Sequence, residues 1–321
     1  MISLKKIYRN KTVLKWQHFF IRNARRIILP GFEGIPLYDA LVFFFKGIRQ
    51  SSLTSRANSL SFTFMLAIFP AIIFFFSLIP YIPIDNLHGT IMETLSEILP
   101  ENAFKTVEST IQDLVSIQRT SLLSIGFFMA IYFASNGVMG IMKAFNRTSH
   151  AIETRSTLQL TVISIVLVIV IFIIVVLSAT LLIFASYLSQ YLEVKGLWQN
   201  SFTGFTISFS KWLIILLMLF VLISLIYYLA PANKGTFRFA TAGSTLATLL
   251  ALIFMMGFNF YIDNFSQYNK LYGSLGTLLI LMLWINLNAI ALLIGFELNA
   301  SIHDAKLNNN AREYPGDDGS E

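Results

Sequence analysis

The sequence contains no cysteine. Disulfides, iron–sulfur ligation and thiol nucleophiles are therefore excluded, although the redox compartment is left open. Histidine is scarce: His18, His88, His150 and His303 are the only ones, and no two lie within metal-ligand spacing. Charge is scarce as well. Asp, Glu, Lys and Arg make up 12% of the chain, about half the ~25% of an average soluble domain. No Gly-rich nucleotide loop occurs, so ATP-driven chemistry is not expected within the chain. Residues 1–30 interleave Lys and Arg with apolar residues and hold no uninterrupted apolar core of a secretory signal. The first spanning helix is expected to serve as its own insertion signal.

Apolar residues fill the gap. They are 55% of the chain, and the mean hydropathy is +0.68. Several runs reach the ~20 residues that a membrane-spanning helix needs. The expected fold is all-α: a polytopic membrane protein with six transmembrane helices near 58–82, 121–144, 159–186, 209–230, 239–262 and 273–299. The third run has no charge from Leu160 to Ala185. Its β-branched residues would favour strand in water. In lipid a lone strand leaves its backbone groups unpaired, so helix prevails.

Lys and Arg set the orientation. Of the 23, eighteen fall on one side and five on the other if the N-terminus is cytoplasmic. That bias predicts both termini in the cytoplasm. It also accounts for the net charge of +6 without nucleic acid as a partner. Residues 1–35 read as a basic membrane-surface segment, with Val13, Trp16, Phe20, Ala24 and Ile27 on one stripe. A second amphipathic stripe has Leu37, Leu41, Phe44, Phe45 and Ile48. Both read as surface anchors. Residues 36–300 form the transmembrane domain, with an extracytoplasmic helical hairpin at 83–120 that is broken at Pro100. Residues 301–321 read as a polar, disordered cytoplasmic tail.

Polar residues inside the spans are the candidate functional residues. Asn286 and Glu297 are eleven positions apart, which at ~100° per residue is nearly one face. Asn288 and Asn299 form a second polar line on another side, together with Ala291 and Gly295. A helix polar on two sides is expected at the centre of the bundle. Glu297 needs a partner, and Arg56, Lys143, Arg147 and Arg238 lie at its depth. The pairing would either fix packing or form a gate or headgroup site. Asn136 stands in mid-span of the second helix, and Pro70 is a bend or hinge of the first. Gln267, Tyr268, Asn269, Lys270 and Tyr272 form the turn before the sixth span. They are candidates for the outer mouth of a polar path that ends at Glu297.

Five segments in order carry a family resemblance: "RANSLSFTFMLAIFP", "ASNGVMGIMKAFNR", "YYLAPANKGTFRFATAGS", "YNKLYGSLG" and "LLIGFELNA". With these the chain resembles the YihY/BrkB family of integral inner-membrane proteins, once labelled ribonuclease BN. The resemblance implies six transmembrane helices in a bacterial inner membrane. It also implies a role in moving lipid-type molecules. The residues do not support the ribonuclease label, because metal-dependent RNA hydrolysis wants carboxylates or histidines converging on a metal. No enzymatic activity, cofactor or metal is expected. The expected partners are membrane lipids and an amphiphilic substrate. A scaffold role in an envelope complex is the alternative; a membrane enzyme ranks below it.

Overall fold

A computed structural model describes residues 26–50, 52–81, 120–146, 154–194, 201–232, 239–264 and 274–313. The basic stripe of residues 1–25 and the hairpin up to residue 119 lie outside the described residues.

Every regular element among the described residues is helical. Helix α1 is Leu37–Gln50 and α2 is Leu53–Leu78, which runs on into a single 3-10 turn. Then come α3 (Thr120–Phe145), α4 (Thr157–Val194), α5 (Ser201–Leu229), α6 (Ala242–Asn264) and α7 (Ser274–Glu313). Among the described residues, helices α2 to α7 are the six that are long and apolar enough to cross a membrane.

Local chemistry suits each helix to lipid. The hydroxyls of Thr161, Ser178 and Thr180 bond back to carbonyls one turn earlier, at 2.9, 2.6 and 2.9 Å. None of these three hydroxyls is left facing hydrocarbon without an acceptor. Helix α4 opens on a capping box. Gln159 N donates to Ser156 Oγ at 3.3 Å, and Ser156 N donates to Gln159 Oε1 at 2.9 Å. Helix α6 opens in the same way on Thr241 and Ser244. Helix α2 is continuous through Pro70, whose side chain is buried.

The six spans form a ring. Each packs on its neighbour in sequence, from α2 round to α7, and α7 packs on α2 to close the circle. Neighbours run antiparallel. Along the α2–α3 contact, Leu60 lies by Gly140, Phe64 by Gly137 and Phe74 by Gly126. We call the end of the ring that holds Leu53, Phe145 and Ala242 the basal end.

Helices α6 and α7 come closest at two glycines. A Cβ on Gly295 would run into the Gly243 carbonyl oxygen, and would lie 2.5 Å from the Tyr227 hydroxyl and 2.7 Å from Ala247 Cβ. A Cβ on Gly243 would strike the Gly295 carbonyl and Asn299. Only backbone hydrogens fit between these helices, which is how small residues hold membrane helices together.

One reading of the sequence needs correction. Helix α7 does not stop near residue 299 but continues to Glu313, so residues 301–313 are helix rather than loose tail. Ser301, Ile302 and Ala305 are buried. Ile302 and Ala305 pack with Phe32, Ile35, Ala40, Ala242 and Leu298. Lys306 Nζ donates to Glu33 at 2.7 Å. Helix α1 accordingly presses one face, with Leu37, Ala40, Phe43 and Phe44, on the protein. Val42 and Phe45, on its other side, are exposed.

The glycine contact gives a test. Gly295→Leu should destabilise the folded protein by about 1–3 kcal/mol or more, since overpacking has nowhere to relax. Gly257→Leu should be tolerated, because a Cβ there meets nothing within 4 Å. Thermal unfolding in detergent, read by size exclusion, compares the two.

Candidate functional site

The six spans line a partly open cavity of about 500 Å³. Each contributes to the lining, for example through Ala67, Val138, Ile171, Leu222, Ala251 and Asn288. Of its lining residues only Asn288 and Trp284 carry a polar side-chain atom. Asn288 Nδ2 donates to the Trp284 carbonyl of its own helix at 2.9 Å, which spends part of that polarity. Along α7 the lining runs from Trp284 to Leu292, about 12 Å at ~1.5 Å per residue. That is under half of the ~30 Å hydrocarbon core of a bilayer. The cavity's size falls in the ~300–1,000 Å³ range of small-molecule sites.

An aromatic layer floors the cavity on the basal side. Phe145 from α3 stacks on Phe296 from α7, with ring centres 3.9 Å apart and planes within 5°. Tyr227 from α5 meets both edge-on, at 5.7 and 5.9 Å. Its hydroxyl donates to the Leu292 carbonyl at 2.6 Å. Phe145 and Tyr227 are fully buried, and Phe296 is nearly so. Sequence reasoning passed over all three. A signal was available: each lies at the basal end of a span, within the "KAFNR", "IYYLAP" and "IGFELNA" stretches.

Beneath the aromatics lies a polar layer. Arg56 Nη2 meets Glu297 Oε2 at 3.4 Å, and both side chains are buried. Arg56 Nη1 also donates to the Ala144 carbonyl at 2.8 Å, capping α3. A Cβ on Gly47 would collide with the Glu297 carboxylate, so α1 lies directly on this pair. Higher on α7, at the depth of the cavity, Asn286 Nδ2 donates to Asn58 Oδ1 at 2.8 Å and to Ser61 Oγ at 3.1 Å. Asn299 accepts from the Gly243 N–H at 2.8 Å and donates to Thr241 Oγ1 at 2.8 Å. Asn146 and Arg155 tie the loop after α5, through Ala232 N at 3.2 Å and the Ala230 carbonyl at 3.0 Å.

The expected residues thus separate into groups. Asn286 and Glu297 do share a face, and it meets α2. Asn299 and Gly295 share another, and it meets α6. Of the cations considered for Glu297, Arg56 is its partner. Lys143 is exposed in the last turn of α3. Arg147 and Arg238 lie outside the described residues, as do Gln267, Tyr268, Asn269, Lys270 and Tyr272. Asn136 is half-buried on α3 and does not line the cavity. Among the described path residues only Asn288 lines the cavity. Asn286, Glu297 and Asn299 instead bond to other helices.

Glu297→Ala would strand a buried guanidinium, which costs about 3–5 kcal/mol for pairs of this kind. The double variant Arg56→Met/Glu297→Leu should recover much of the loss, because no buried charge is left alone. Thermal unfolding of the two variants beside wild type checks the pair. Equal losses for both would refute it.

The comparisons with known proteins agree with this architecture. The chain is 28% identical over 256 residues to the ribonuclease-like protein YfkH of Bacillus subtilis, a match covering 78% of this chain and 90% of the relative. It is 27% identical over 295 residues to a UPF0761 membrane protein of Psychromonas ingrahamii, covering 88% and 94%. It is 25% identical over 265 residues to one of Aggregatibacter aphrophilus, covering 82% and 91%. No solved structure matches. The family model described as virulence factor BrkB matches residues 44–317. With that match across six apolar spans, the chain belongs to the BrkB family of multi-pass membrane proteins.

Proposed function

We propose that the protein is a flippase-like transporter that moves a lipid or another amphiphile across a bacterial inner membrane. The observation that carries this reading is the cavity at mid-span, lined by all six helices of the ring. A bundle built only for rigidity would fill its centre with side chains. This one instead keeps alanines at Ala67, Ala71, Ala134 and Ala251 around the space. The Lys and Arg bias puts both termini, and so the basal seal, on the cytoplasmic side. The reading assigns no enzymatic chemistry, no cofactor and no nucleic-acid partner. With no nucleotide loop, transport would draw on a gradient, a partner protein or a downhill substrate.

A second reading, a scaffold in an envelope complex, has one observation in its favour. Asn286, Glu297 and Asn299 all bond to other helices of the bundle, as a static assembly would arrange them.

Reconstitution separates the two. Vesicles carrying the wild-type protein should redistribute head-labelled lipid between leaflets faster than protein-free vesicles, with or without an imposed gradient. Ala251→Phe, which fills the cavity, should bring the rate back toward the protein-free value while the protein stays folded by size exclusion. Equal rates with and without wild-type protein, for every lipid and gradient tried, would sink the transport reading.

A further inference from the structure

We infer that the central cavity takes the acyl chain of a membrane lipid and leaves the polar head outside the ring. This deepens the transport reading and, as a statement about substrate, rests on it. As a statement about binding it stands on the cavity alone.

The lining decides the chemistry. Apart from Asn288 and the Trp284 indole, every lining side chain is hydrocarbon. Water needs two to four polar partners to settle in such a space. Asn288 Nδ2 already donates to its own helix. A charged headgroup would need a counter-charge, and the lining offers none. The buried charges, Arg56 and Glu297, lie in another layer, and the Phe145–Phe296 stack and Tyr227 come between them and the cavity. Hydrocarbon is what remains, and the surrounding bilayer supplies it at this depth. The volume is several times the ~150 Å³ of an apolar cavity that takes up benzene, so a length of chain fits.

Trp284 reports on occupancy, because it lines the cavity and packs on Phe258 with ring centres 4.9 Å apart. The sequence has four tryptophans. The triple variant Trp16→Phe/Trp198→Phe/Trp212→Phe leaves Trp284 alone. A companion that keeps only Trp212, which is 54% exposed on α5, marks direct contact with lipid. Both are placed in phosphatidylcholine vesicles with or without bromine on the acyl chains. Bromine quenches indole only at contact. We expect Trp284 to be quenched nearly as strongly as Trp212, and Ala251→Phe or Ala67→Phe to restore Trp284 emission while Trp212 stays quenched.

Unquenched Trp284 beside quenched Trp212 overturns the inference. Quenching of Trp284 that survives both cavity-filling substitutions overturns it too, since the bromine would then arrive from outside the ring. The readout needs no transport. Quenching without lipid redistribution would keep the chain site and sink the transport reading. Redistribution without quenching would do the reverse.

Discussion

A ring of helices has one seam that the chain does not hold. Helices α2 to α7 follow one another, so each sequential contact gains from a connecting segment. The contact of α7 with α2 joins the first span to the last and has no such help. Lipid offers little hydrophobic drive to close it, because the tails outside are as apolar as the helix faces. What spans this seam is polar: Arg56 with Glu297, and Asn286 with Asn58 and Ser61. These bonds are the condition for a cavity lined by all six spans. Without them α2 and α7 could part, and the space among the spans would become a groove in the lipid.

That condition explains where the polar residues lie. Inside the hydrocarbon a polar side chain is tolerated where it finds a partner. Here the partners sit on adjacent helices, mostly near the basal end. Gly243 and Gly295 serve the neighbouring seam by another means, bringing the α6 and α7 backbones into contact so that Asn299 reaches the Gly243 N–H. Helix α1 adds a lid to this layer. Its Gly47 leaves room for the Glu297 carboxylate, while Leu37, Ala40, Phe43 and Phe44 pack beside the far end of α7.

Much of this was legible in the sequence, and the part that was not has a physical reason. The six spans follow from hydropathy, a local property. The two-sided character of α7 follows from 100° arithmetic, and Asn286 and Glu297 on one side with Asn299 and Gly295 on another do meet different helices. The choice of Arg56 among four cations is a matter of register between residues 241 positions apart, which no periodicity encodes. The aromatic floor is a contact among three separate helices and is invisible to any single window. In the stripe of residues 37–50, Leu37 and Phe44 meet protein while Phe45 is exposed, a division that the amphipathic pattern by itself does not encode. Asn288, on the second polar line, lines the cavity while its amide also bonds back to its own helix.

The separation of layers limits how anything could pass through. The cavity is apolar, and the charged pair lies below a wall of stacked rings. A polar head therefore cannot follow its chain into the ring without leaving its partners behind. The residues that could meet such a head are those of the α2–α7 seam, since Asn58 is exposed where it accepts from Asn286. Asn58 is thus both part of what holds the ring shut and open to the surrounding lipid. Any movement that offered the seam's polar groups to a headgroup would also loosen the closure that defines the cavity. Opening the seam and admitting an amphiphile are, in this geometry, one event.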